Sequence, residues 1–195
     1  HYTFIQNKQS QKLLESTMTQ AIKLTAGKTF PTIEATQLDG TTTNMGKAHG
    51  GADWQMLVVY RGKHCPLCLR YLNLLEAHQV ALKAIGISVS AISADSKAQL
   101  EESMEKLTIT YPIAYGLTEQ QMQQLGLYIS TPRSELETEH NFAEPGLFVI
   151  NEQGLLQAIN ISNTPFLRPE IDVIVRGLSF VRNQENYPIR GNLIY

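Results

Sequence analysis

Cysteine is almost absent from this chain of 195 residues, which carries only Cys65 and Cys68. Two cysteines three positions apart cannot staple a small secreted scaffold, so a reducing compartment, the cytoplasm, is the expected location. An excess of basic charge is also missing. Sixteen Lys and Arg stand against eighteen Asp and Glu, and the net charge of -2 with a pI near 6.2 supplies no footprint for nucleic acid or for an anionic membrane surface. No apolar run approaches the roughly 18 residues of a membrane span. Repeats and low-complexity tracts are lacking too. Gly27-Lys28-Thr29 is not a phosphate-binding loop, because Ile22 stands where that motif needs its first glycine. The chain begins at His1 rather than at methionine, which leaves a removed leader open.

What is present centres on Met56 to Gly86. Met56 to Tyr60 is apolar without alternation, as in a strand covered on both faces. Arg61-Gly62 interrupts it. From Pro66 onward Leu67, Tyr71, Leu74, Leu75, Leu82 and Ile85 recur at helical spacing, and Gly86 suits a left-handed helix end. Pro66 fits the first helical position, where a missing N–H costs nothing, and Cys65 then caps the helix. A thiolate there meets free amide hydrogens and the positive end of the helix dipole, with Lys63 and His64 beside it, so its pKa is expected below the ordinary value of about 8.5. Cys68 lies one turn along, within disulfide reach. Each cysteine has one intramolecular partner, and the roles follow: Cys65 attacks, Cys68 resolves.

At 43% hydrophobic the chain is long enough for one substantial core. Residues 1–28 read as a helical extension, amphipathic through Leu13, Leu14, Met18 and Ile22, which packs on the domain or serves as a dimerisation arm. Residues 29–183 form the domain and 184–195 a tail. Ile33 to Leu38 turns at Asp39-Gly40 into a threonine-rich return strand. Met45 to Asp53 is loop, with His49 a loop histidine. Ile87 to Ile92 is a second buried strand, completing a βαβ unit. Ser96-x-x-Gln99 caps a helix to about Leu107, with Glu102 and Lys106 at pairing distance, and Thr118-x-x-Gln121 caps a shorter one ending at Gly126. Tyr111 to Tyr115 is a strand that Pro112 starts or confines to an edge. Arg133 to His140 reads as a solvated charged stretch. Gly146 to Ile150 and Leu155 to Ile161 form a hairpin across Asn151 to Gly154. Pro169 begins a last amphipathic helix carrying Ile171, Ile174, Val175, Leu178 and Val181. His78 reads as a core or boundary histidine.

With these elements the chain resembles the α/β thioredoxin-like fold, a central mixed sheet flanked by helices, here with the N-terminal extension. It is more closely similar to peroxiredoxin-like proteins of the AhpC/TSA group. The likeness runs from about Phe30 to Ile161 and is carried by VVYRGKHCPLCLRYL, EPGLFVINEQG and, less specifically, SNTPFLRP. Peroxiredoxins usually present Pro-x-x-x-Thr-x-x-Cys; this chain has Val58 and Gly62 at the proline and threonine positions. Their arginine before the Gly-Leu-Phe strand is replaced by Glu144-Pro145, and Pro145 instead matches the cis-proline of thioredoxins, facing the cysteines. Arg61, at the end of the main strand, and Arg168, in SNTPFLRP, are the candidates to stand in for the arginine.

The resemblance implies a thiol-based antioxidant oxidoreductase without cofactor or metal. Cys65 reduces a peroxide and Cys68 resolves the sulfenic acid, with an external thiol system, thioredoxin or glutathione, closing the cycle. The Cys-Pro-x-Cys order is similar to that of glutaredoxins, which makes glutathione a candidate reductant beside thioredoxin. The alternative is thiol-disulfide exchange on protein or glutathione disulfides through a mixed disulfide at Cys65. A metal-binding protein using both thiolates and His64 lacks the usual further ligands, and Leu69 after Cys68 excludes haem attachment. A non-catalytic interaction protein remains the fourth option.

Overall fold

A computed structural model describes residues 24–193. The order along the chain is β1 (Glu34–Gln37), β2 (Thr42–Asn44), β3 (Trp54–Val59), α1 (Pro66–Glu76), α2 (Gln79–Ala84), β4 (Ile87–Ile92), α3 (Lys97–Met104), β5 (Ile113–Tyr115), α4 (Glu119–Gln124), β6 (Ile129–Ser130), β7 (Phe142–Ala143), β8 (Gly146–Ile150), β9 (Leu156–Ile161) and α5 (Ile171–Arg182). Seven strands form one mixed sheet in the order β2-β1-β5-β4-β3-β8-β9, and β6-β7 is a separate ribbon. The expected N-terminal helical extension falls largely outside the described residues.

β3 is central because its side chains find apolar cover on both faces. Met56 and Val58 pack with Leu72, Leu75 and Leu82 of the helical layer, while Leu57 and Val59 pack with Phe30, Ile33, Leu125 and Phe148 beneath the sheet. All six β3 residues are buried, and each fully buried aliphatic side chain contributes about 1.5–3 kcal/mol. β3 runs parallel to β4 and antiparallel to β8, so the loop after β3 and the segment before β8 meet at one end of the sheet. β5 lies between β1 and β4, with Pro112 just before its first residue. The cost of proline is avoided because the ladder starts after it.

The cysteine helix differs from its expected course in two ways. It breaks at Ala77-His78, where the His78 ring Nδ1 bonds the Leu74 carbonyl oxygen at 2.9 Å, and α2 starts afresh. The face it buries is Cys68, Leu69, Leu72 and Leu75, whereas Leu67 and Leu74 are 47% and 48% exposed. Both stripes have helical spacing; packing on β3 and β4 selects the one that also carries Cys68 inward. His78 Nε2 meets Asp172 at 2.8 Å and joins this break to α5.

α3 ends at Met104, short of Lys106, so Glu102 does not make the anticipated pair along the helix. It takes the Lys63 ammonium at 2.7 Å instead. Residues 133–140 are only partly solvated. Leu136 is fully exposed, but Thr138 is buried and Glu137 reaches Arg61 at 3.6 Å, so the segment folds over the end of the sheet.

Candidate functional site

The loop Arg61–His64 delivers Cys65 from the end of β3 to the start of α1. Cys65 has extended backbone angles, φ -111° and ψ 92°, and its Sγ accepts the N–H of Cys68 at 3.3 Å. Pro66 supplies the first helical residue without wasting a donor. Cys65 and Cys68 form a disulfide, with Cα atoms 5.3 Å apart, and their exposures are 2% and 0%. The sequence expectation of a cap cysteine paired one turn along describes this geometry.

The loop is fixed from below by Asp95, in the turn three residues past β4. Its Oδ2 accepts the Lys63 N–H at 2.8 Å, and Gly62, at φ +131°, lies so close that any Cβ would collide with Oδ1. Asp95 is fully buried, and burial raises its carboxyl above the ordinary range. The buried Tyr60 hydroxyl is also pushed up, first by burial and then by the charge of Asp95. Asp95 belongs to no motif, and Tyr60 stands in the quoted cysteine segment only as a strand residue. The available signal was positional: an acid just past a buried strand parallel to the strand that feeds the nucleophile.

The basic residues flanking Cys65 serve other partners. Lys63 is tied to Glu102. His64 packs its ring 4.5 Å from that of Phe142, with neither nitrogen hydrogen-bonded, and burial followed by the Arg61 charge lowers its pKa to about 4. At neutral pH it is an uncharged wall of the loop rather than a cation for the thiolate. Arg61 lies over the other aromatic contact, 4.7 Å from the Phe142 centroid, and its Nε is 3.3 Å from Glu144 Oε2. Glu144 also accepts the Ser130 hydroxyl at 2.8 Å.

Pro145 does not have the anticipated cis bond; no peptide bond among the described residues is cis. The reason is continuity of extended backbone. The Glu144 N–H donates to the Tyr128 carbonyl oxygen at 2.8 Å, and the Pro145 carbonyl oxygen accepts the Ser162 N–H at 3.0 Å, which carries the chain straight from β7 into β8.

Arg168 is the arginine that reaches the sulfurs. Its Nη2 is 3.2 Å from Cys68 Sγ and its Nη1 donates to the Pro165 carbonyl oxygen at 3.0 Å. The guanidinium lies over the Tyr71 ring at 5.2 Å, and the Tyr71 hydroxyl donates to the Pro169 carbonyl oxygen at 3.1 Å. Burial lowers Arg168 to about 10, which leaves it charged at neutral pH. Beside it a cleft of about 410 Å3 runs between α1 and the 165–172 segment, lined by Leu67, Arg70, Leu74, Phe166 and Ile171 among others.

His49 bonds the Val89 carbonyl oxygen at 3.0 Å and His78 pairs with Asp172, so both have structural partners. Among the described residues no group of three or more His, Cys, Asp or Glu is placed to hold a metal ion, and no helix is long and apolar enough to cross a membrane.

Residues 26–159 match the family described as the AhpC/TSA family. No curated protein matches the chain. Among solved structures, a cysteine-to-serine mutant of peroxiredoxin 6 from Arenicola marina is similar at 20% identity and TM-score 0.68, covering 80% of this chain and 73% of that one. A peroxiredoxin-like protein from Aquifex aeolicus is similar at 16% identity and TM-score 0.67, covering 82% and 88%. Peroxidoxin BcpB from Mycobacterium tuberculosis gives 15% identity and TM-score 0.67, covering 83% and 100%. At these identities the likeness establishes the shared fold.

Proposed function

Since the chain belongs to the AhpC/TSA family, we propose that it is a thiol peroxidase whose Cys65 reduces peroxides and whose Cys68 resolves the product as an intramolecular disulfide. The observation that carries this reading is the Cys65 Sγ at the N-terminus of α1, holding the Cys68 N–H at 3.3 Å and bonded to the Cys68 sulfur. In the reduced protein the amide and the dipole favour the Cys65 thiolate. That thiolate attacks the near oxygen of the peroxide, the O–O bond breaks, and the leaving alkoxide or hydroxide takes a proton. Cys65 is now a sulfenic acid. Cys68 attacks its sulfur, hydroxide departs and is protonated to water, and the disulfide forms. Two thiols of an external reductant, of the thioredoxin or glutathione type, then restore both cysteines. Such a reductant belongs to a reducing compartment, which supports a cytoplasmic setting.

Hydrogen peroxide added to fully reduced protein tests the reading. Wild type is expected to form the disulfide far faster than a free thiolate is oxidised, and Cys68→Ser to stop at a Cys65 sulfenic acid that a dimedone-type reagent labels. Oxidation no faster than that of a free thiolate defeats it. One observation favours disulfide exchange as the second reading: Gly62 brings no hydroxyl to the position where peroxiredoxins usually carry threonine, and Asp95 fills the space behind it. Slow peroxide oxidation together with rapid reaction with a disulfide substrate selects that reading.

A further inference from the structure

The two sulfurs of the disulfide have unlike surroundings. Cys65 Sγ faces backbone, as the acceptor for the Cys68 N–H. Cys68 Sγ is fully buried and faces the guanidinium of Arg168 at 3.2 Å. Arg168 is held there by groups other than the sulfur, namely the Pro165 carbonyl oxygen and the face of Tyr71, itself tied to Pro169. Among the described residues no carboxylate forms an ion pair with Arg168. A largely buried cation with no carboxylate in contact, aimed at one sulfur of a pair, gains a contact counter-ion when that sulfur is a thiolate; Glu144 acts on it from beyond ion-pair distance.

We propose that Arg168 is a catalytic residue of the second half of the cycle, the counter-ion of the Cys68 thiolate, and that it directs the external thiol to Cys65. The proposal rests on the cycle given above and assigns its electrophilic sulfur. In the resolving step the Cys68 thiolate attacks the Cys65 sulfenic sulfur. Thiolate is scarce for an unassisted buried thiol, whose pKa lies at or above about 8.5. In the reductive step an external thiolate attacks Cys65 Sγ, the S–S bond breaks, and its electron pair leaves on Cys68 Sγ. Cys65 has the partial charges of one amide and the helix dipole, whereas Cys68 has a full guanidinium charge at 3.2 Å, so Cys68 is the better leaving thiolate and the mixed disulfide forms on Cys65. A second external thiolate then attacks the external sulfur of that mixed disulfide and releases the Cys65 thiolate.

Two measurements without peroxide test this. In Cys65→Ser, where Cys68 is the only cysteine, the pH dependence of iodoacetamide alkylation is expected to have its midpoint below about 8.5. Adding Arg168→Met is expected to raise the midpoint by about one to three pH units, and Arg168→Lys to restore part of the drop. A midpoint in Cys65→Ser at or above the free-thiol value overturns the proposal without any change at Arg168, which covers the case in which Arg168→Met does not fold. A midpoint unmoved by Arg168→Met also overturns it. Secondly, oxidised wild type is treated with a monothiol and the adduct mapped by mass spectrometry. Adduct at Cys65 is expected, whereas adduct at Cys68 refutes the assignment. If peroxide fails to oxidise Cys65 but both results hold, the peroxidase reading falls and the role of Arg168 stands for disulfide exchange.

Discussion

The backbone N–H of Lys63 donates to Oδ2 of Asp95 at 2.8 Å, tying the loop that presents Cys65 to the turn after the neighbouring strand. Asp95→Asn keeps an acceptor there and removes a buried charge, whereas Asp95→Ala leaves a buried N–H without a partner. At neutral pH the expected stability order is therefore Asn at or above wild type, with Ala lower by about 1–3 kcal/mol, read by urea denaturation. The pH dependence has a definite sign. Because the folded carboxyl titrates above 3.8, the native state holds the proton longer, and this group makes stability fall as pH rises from 3.8 to the folded value. Asp95→Asn abolishes that decline.

Gly62 combines φ +131° with an Asp95 oxygen where its Cβ would stand. Gly62→Ala is expected to lose about 2–3 kcal/mol of stability, and Gly62→Thr more. Restoring the threonine usual in peroxiredoxins should thus slow Cys65 oxidation by distorting the loop. A Gly62→Thr protein that melts with wild type and oxidises faster would contradict this.

Two histidines give opposite pH slopes. His64 titrates near 4 in the fold against 6.5 unfolded, so its contribution is complete above 6.5 and is lost as pH falls toward 4. His78 is raised above 6.5 by its hydrogen bond to Leu74 and by Asp172, so its contribution is complete below 6.5 and is lost as pH rises through the folded value. Thermal melts of His64→Phe and His78→Gln across this range should flatten the acidic and the neutral limb respectively. If each variant keeps the wild-type slope, these contributions are absent.

Arg61 is the cationic partner of buried Glu144 at 3.3 Å. Arg61→Met leaves that carboxylate uncompensated and is expected to cost about 3 kcal/mol. Arg61→Met with Glu144→Gln should recover most of it, and a double mutant no more stable than the single would show that the pair is not coupled.

The seven strands of the main sheet along the chain and the cap at Cys65 were legible because they rest on local signals: the uninterrupted apolar run of β3, Asp39-Gly40 at a hairpin, two capping boxes, and Pro66 at a helix start; the two-residue strands β6 and β7 are too short to leave such a signal. The site's ionic partners were not. Lys63, two positions before Cys65, turns to Glu102, while Arg168, 100 residues after Cys68, approaches the Cys68 sulfur. Which of two helical stripes is buried, Leu67 and Leu74 or Leu69 and Leu72, depends on the sheet beneath and not on spacing. The expectation of a cis bond at Pro145 came from a family pattern; here the hydrogen bonds on either side carry extended backbone through it. Asp95 belongs to no motif, and only the parallel pairing of β3 with β4 brings it under the loop.

The disulfide is sealed, with Cys65 at 2% exposure and Cys68 at 0%. A bulky protein reductant cannot reach a sulfur in that state, so the cover over Cys65 must open before exchange begins, with Cys68 left against Arg168. Recycling thus acquires a clock of its own. As the concentration of reductant is raised, the rate climbs and then levels at the frequency of that opening, and the plateau is the same for every protein reductant while the initial slopes differ.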